Sequence, residues 1–132
     1  MSLLLDTNIC IYAMKQHPVV LPRLLSARRA DVFISVVTEA ELRTGAEKSR
    51  EPVQTLDRVE RFLAPISVLD FTSEDAAAYA SLRTQLERAG TPIGPLDLLI
   101  AAQALARDLT LVTNNEREFR RIASLRVKNW SR

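Results

Sequence analysis

Four short apolar runs punctuate this chain: Leu3 to Leu5, Val32 to Val37, Ile66 to Leu69 and Thr110 to Thr113. A strand with one wet face alternates apolar and polar residues, so continuously apolar runs of this length predict strands buried on both faces. Between them lie stretches with apolar residues at helical spacing, over Ile9 to Met14, Leu21 to Leu25, Ala40 to Ala46, Val53 to Leu63, Ala76 to Leu86 and Leu96 to Leu105. Strand alternating with helix predicts an α/β fold, with a small parallel sheet of four to five strands flanked by helices on both faces. Gly90, Pro92, Gly94 and Pro95 break the chain before the Leu96 helix, and Pro18 and Pro22 divide the first helical region into two.

A chain of 132 residues fits one domain, expected over residues 1–132, and buries a core without covalent staples. Apolar residues make up 47% and charged residues 26% of the chain, the balance of an ordinary globular protein. No apolar run approaches the roughly 20 residues of a spanning helix, and the start lacks the basic segment of a secretory signal. A cytoplasmic protein is expected, with no membrane partner. Cys10 and His17 are the only residues of their kinds, which removes internal disulfides, Cys/His zinc sites and Cys–His nucleophile pairs. His17, just before Pro18, is expected to be exposed and outside any chemistry. Net charge is only +2, but Arg117, Arg120, Arg121, Arg126, Lys128 and Arg132 crowd the last residues. Such a margin suits a polyanion, or is simply a solvated face.

In a parallel α/β sheet the functional crevice lies beyond the carboxyl ends of the strands. Asp6 ends the first run in LLLDTN, and Glu41 falls early in the helix after the second, in SVVTEAEL. Asp97 opens the helix GPLDLLIAAQAL, while Asn115 and Glu118 follow the fourth run in LVTNNEREF. Each has an ordinary structural explanation. Thr38 with Glu41 fits a capping box, Asn115 with Glu118 a similar reciprocal cap, and Asp6 and Asp97 suit the positive end of a helix dipole. Asp97 fits that explanation least, because its neighbours Leu96, Leu98, Leu99, Ile100 and Ala101 imply a largely buried helix, where an unpaired carboxylate is costly.

Gathered at one sheet edge, these carboxylates repel one another unless a cation compensates. Oxygen ligands without Cys or His point to Mg²⁺, with Mn²⁺ as a substitute, and such ions keep waters and bind substrate phosphates. Metal-assisted hydrolysis of a phosphodiester follows from that chemistry. Thr7, Asn8 and Thr113 stand beside the acids and can support the carboxylates or the turn. Asp70 ends the third run and could join the acids, but the following FTSEDAA reads as a helix start capped by Thr72 or Ser73, which favours a cap role there; Asp31, Asp57, Asp75 and Asp108 are expected to be surface charges. Tyr12, Phe33, Phe62, Phe71, Phe119 and Trp130 are too scattered for a base-stacking platform and are expected to pack in the core.

The segments LLLDTNICIYAMK, SVVTEAELRTGAEKS, GTPIGPLDLLIAAQALARDLTLVTNN and EREFRRIASLRVKNW, in this order, closely resemble the VapC toxins of type II toxin-antitoxin pairs. These are PIN-domain ribonucleases, and the likeness runs along nearly the whole chain. The resemblance implies a PIN-domain fold and Asp6, Glu41 and Asp97 as the core acidic residues, with Asp6 and Asp97 as direct metal ligands. Many PIN domains carry an aspartate after the fourth strand. Asn115 stands there, so either Asn115 holds a water of the ion or Glu118 supplies the missing charge. The resemblance further implies a homodimer, an RNA substrate that is often tRNA or rRNA, and a VapB-type antitoxin bound in a hetero-oligomer. Arg117, Arg120 and Arg121 are the expected RNA contacts. A degenerate PIN domain that binds RNA or a partner without cutting is the alternative.

Overall fold

The computed structural model describes residues 1–132. Its elements run β1 (Leu3–Leu5), α1 (Thr7–Met14), α2 (Val20–Ser26), β2 (Val32–Ser35), α3 (Val36–Glu47), α4 (Pro52–Leu63), β3 (Ser67–Leu69), α5 (Ser73–Arg88), α6 (Pro95–Ala106), β4 (Thr110–Val112), α7 (Glu116–Phe119) and β5 (Val127–Lys128). The strands form one sheet in the order β3-β2-β1-β4-β5. Every pairing is parallel, with Leu4 opposite both Phe33 and Leu111.

The apolar runs are explained by what each face touches. Leu3 and Leu5 turn to a core built with Ile9, Val20, Leu42, Val59 and Trp130, whereas Leu4 turns to a second core with Leu82, Leu86, Leu98, Ile100 and Phe119. Residues alternate sides along a strand, so both sides must be apolar when helices cover both. Helices α1 to α4 cover one face and α5 to α7 the other. Leu4 is fully buried, and truncating such a side chain costs about 2–5 kcal/mol.

Several local expectations are corrected. The second strand stops at Ser35 rather than Val37, because Ser35 Oγ accepts from the Val37 N–H and starts α3 there. Thr38 and Glu41 therefore form no capping box, and Thr38 is buried inside the helix. Pro22 does not interrupt a helix: it lies in the first turn of α2, where a missing N–H costs nothing. The chain turns instead near Gln16, whose φ is +60°. His17 is half-buried and structural. Its Nδ1 accepts from the Val19 and Val20 N–H groups, and its ring stacks on Tyr12 at 5.0 Å. The expected cap is Thr72, which forms a full capping box with Asp75, and Asp75 is buried, not a surface charge. Asp75 Oδ2 accepts from Arg107 Nη2 at 3.1 Å and lies 3.4 Å from Gln103 Nε2. Burial pushes this carboxyl up, but Arg107 and the Thr72 N–H prevail and hold it below the usual range. β5, with only two residues, carries no sequence pattern of its own.

Candidate active site

β1 ends against Asp6, whose N–H donates to the Val112 carbonyl and so continues the ladder with β4 one residue further. Asp6 is the N-cap of α1: Oδ1 accepts from the Thr7 N–H at 2.7 Å. Oδ2 accepts from Thr113 Oγ1 at 2.8 Å, so one carboxylate is held by two neighbouring strand ends. Thr113 Oγ1 in turn accepts from the Asn115 N–H at 3.0 Å, shaping the turn after β4. Only 4% of Asp6 is exposed.

Thr7 carries the connection onward. Its Oγ1 donates to Glu41 Oε1 at 2.7 Å and lies 3.1 Å from Thr38 Oγ1. Glu41 thus faces the Asp6 turn from α3, and Thr38, expected only as a cap, is the buried hydroxyl beside it. Its capping-box pattern concealed that role in the sequence. Asn8 is exposed. Asp97 is the third residue of α6, behind Gly94 and Pro95, and half-buried.

Glu118 bridges two elements. Oε2 accepts from Asn115 Nδ2 at 2.6 Å and Oε1 accepts from the Gly94 N–H at 3.2 Å. Asn115 occupies the N-cap position of α7 without a side-chain cap bond, so the expected reciprocal cap is replaced by this side-chain pair. Arg117 is exposed and makes no polar contact. Arg120 pairs with Glu116 at 2.9 Å, and Arg121 Nη1 donates to the Pro92 carbonyl at 2.7 Å.

The electrostatics of this edge are lopsided. Burial pushes the Asp97 carboxyl up to about 6, and the charges of Asp6, Glu118 and Glu41 add to the shift. Burial likewise raises Asp6, opposed by the bonds from Thr113 and Thr7 and reinforced by Glu41 and Glu118. Every ion pair in the molecule uses other acids, so no Lys or Arg neutralises these four. Uncompensated carboxylates with hard oxygen donors suit a divalent ion such as Mg²⁺. No three His, Cys, Asp or Glu side chains close into a ready-made cage.

Comparison with known proteins shows the family. The PIN domain family matches residues 3–125. The tRNA(fMet)-specific endonuclease VapC of Shigella flexneri is 41% identical over 131 residues, covering 99% of both chains. This chain belongs to the VapC family of PIN domain proteins. Solved VapC relatives superpose closely. The DNA-bound VapBC complex of Salmonella typhimurium matches with a TM-score of 0.93 at 40% identity over 98% of each chain. VapBC2 of Rickettsia felis, bound to a promoter fragment, matches at 0.91 and 38% identity over 98% of this chain and 99% of that one. For a VapC protein the parallel sheet with flanking helices is the expected PIN fold.

Proposed function

We propose that this chain is the toxin of a type II toxin-antitoxin pair, a Mg²⁺-dependent endoribonuclease that cuts tRNA or rRNA and so arrests translation and growth. Mn²⁺ is a workable substitute. The observation that supports this reading best is the set of Asp6, Glu41, Asp97 and Glu118 at one sheet edge, two of them with raised carboxyl pKa and none with a cationic partner. A charge deficit of this kind suits an ion that itself handles phosphate. The relative from Shigella flexneri is named as a tRNA-specific endonuclease, which makes tRNA the first substrate to try.

The residues divide the work by position. Asp6 and Asp97 would hold the ion directly and Glu41 would face it from α3. When bound, the ion supplies Lewis-acid stabilisation and a more acidic water for in-line attack on a phosphodiester. Thr7 and Thr113 lock Glu41 and Asp6 in orientation through bonds of 2.7 and 2.8 Å. Glu118 provides the fourth negative charge, and Asn115 orients it. Arg117, without a protein partner, is the freest contact for a substrate phosphate, with Arg120 on the same margin. Residues 1–132 act as one PIN domain. A VapB-type antitoxin neutralises the toxin in a hetero-oligomer, as in the VapBC complexes of its relatives, and a homodimer in the cytoplasm is the free form.

The decisive experiment incubates the purified chain with bulk tRNA in Mg²⁺ and in EDTA, beside Asp6→Asn. Cleavage in Mg²⁺ by the wild type only supports the proposal. Wild-type cutting by Asp6→Asn, or equal cutting in EDTA, removes it.

A further inference from the structure

The loop that presents Asp97 is held from outside its own helix. Gly94, the N-cap of α6, offers no side chain, and Pro92 and Pro95 have no N–H. Ile93 is buried and pegs the loop into the second core. Its polar backbone is met by two side chains on one short segment. The Gly94 N–H donates to Glu118 Oε1 at 3.2 Å, and Arg121 Nη1 donates to the Pro92 carbonyl at 2.7 Å. Residues three apart around a helical turn share a face, so Glu118 and Arg121 grip the loop as a pair, one accepting and one donating.

The segment that supplies this grip is itself anchored. α7 has four residues and cannot persist on its own hydrogen bonds. Phe119 and Ile122, both buried in the second core, fix it instead. Asp97 lies close to the gripped loop: its Oδ2 is 3.9 Å from the place a Cβ on Gly94 would take. Asp6, by contrast, is fixed on the sheet. The spacing of the two acids therefore follows the loop, and the loop follows α7.

Resting on the nuclease reading above, we propose that Arg121 is a positioning residue, which through the Pro92 carbonyl, and in concert with Glu118, sets Asp97 against Asp6. A role as a phosphate contact is the rival for the same side chain. Arg117 is the natural control, since it is exposed and makes no polar contact within the protein.

The two roles separate in kinetics and in metal binding. With bulk tRNA in Mg²⁺, Arg121→Ala is expected to lower kcat about tenfold to a hundredfold with KM within about twofold, the signature of misplaced catalytic groups. Arg121→Lys, which can still donate to the carbonyl, restores most of the rate. Arg117→Ala does the opposite, raising KM and reducing the salt slope of RNA binding by about one. Without RNA, free-Mn²⁺ electron paramagnetic resonance should show several-fold weaker Mn²⁺ binding in Arg121→Ala, and hydrogen exchange at the Gly94 amide should quicken. A raised KM with a flatter salt slope, unchanged kcat and wild-type Mn²⁺ affinity would make Arg121 a phosphate contact and overturn the proposal. Should the wild type cut no RNA, the nuclease reading falls, while the Mn²⁺ and exchange measurements still decide the role of Arg121.

Discussion

Thr113 and Asp6, 107 positions apart in the chain, are joined by a 2.8 Å hydrogen bond from Thr113 Oγ1 to Asp6 Oδ2. The bond forms because β1 and β4 are parallel neighbours whose ends coincide, Leu5 lying opposite Val112. The same hydroxyl accepts from the Asn115 N–H, so it couples the buried acid to the turn that carries Asn115 and Glu118.

Replacing Thr113 by Val is expected to cost about 1–3 kcal/mol, since a buried carboxylate and a turn N–H both lose a partner. With its donor gone, the Asp6 carboxyl shifts further up, and the acid limb of the pH–rate profile moves to higher pH. Thr113→Ser keeps the bond and should leave both properties near wild type. An identical pH profile for Thr113→Val would show that the hydroxyl does not tune Asp6.

Asp97 gives the opposite sign of effect on stability. Its folded pKa, about 6 against an ordinary 3.8, lies above the unfolded value, so the associated stability is complete below about pH 4 and is lost as pH rises through 6. In EDTA at pH 7.5, Asp97→Asn should therefore melt higher than the wild type. The gain is about 1 kcal/mol after allowing for solvent screening of a half-buried group, or about 4 °C. It should vanish near pH 4. Saturating Mg²⁺ stabilises the folded wild type by mass action and should narrow or reverse the difference. A lower melting temperature for Asp97→Asn in EDTA at pH 7.5 would show that burying the ionised Asp97 among these acids costs the fold nothing.

Glu41→Gln should leave the fold intact, because the start of α3 is capped by Ser35 and a glutamine oxygen still accepts from Thr7. Thermal melting within about 0.5 kcal/mol of wild type, with Mg²⁺-dependent cleavage reduced tenfold or more, is the expected pair of results. A large loss of stability would assign Glu41 to the fold instead.

Arg107 is expected to matter for stability alone. Asp75 is 1% exposed, and Arg107→Ala leaves this carboxylate without its cation, at a cost of about 3 kcal/mol. The Asp75 carboxyl is held below its ordinary value, so its stabilising contribution is present above about pH 4 and fades as the pH falls through the depressed value. Chemical denaturation of Arg107→Ala at pH 7, beside an unchanged cleavage rate per folded molecule, checks both halves.

Much of this was legible in the order of residues. Leu3 to Leu5, with apolar side chains directed to both sides, could only belong to a strand covered on both faces. Asp6, at its end, had to stand at the carboxyl edge of the sheet. Glu41 and Asp97 were legible in the same way, since one follows a strand and the other opens a helix, whereas the choice between Asn115 and Glu118 was left open by the sequence. The motifs of the VapC family reinforced the same acids.

Other facts depended on partners distant in the chain. Thr38 looked like a cap because its spacing to Glu41 is that of a capping box, but Ser35 starts the helix first and the sheet brings Thr7 to Thr38. Asp75 looked like a surface acid until α6 placed Gln103 and Arg107 over it. The two residues of β5 pair only because β4 offers an open edge, and Arg121 reaches Pro92 only because Phe119 and Ile122 seat its segment in the core. Periodicity and caps act within a few residues and can be read from the chain, whereas charge compensation, burial and long-range hydrogen bonds arise only when the layers close.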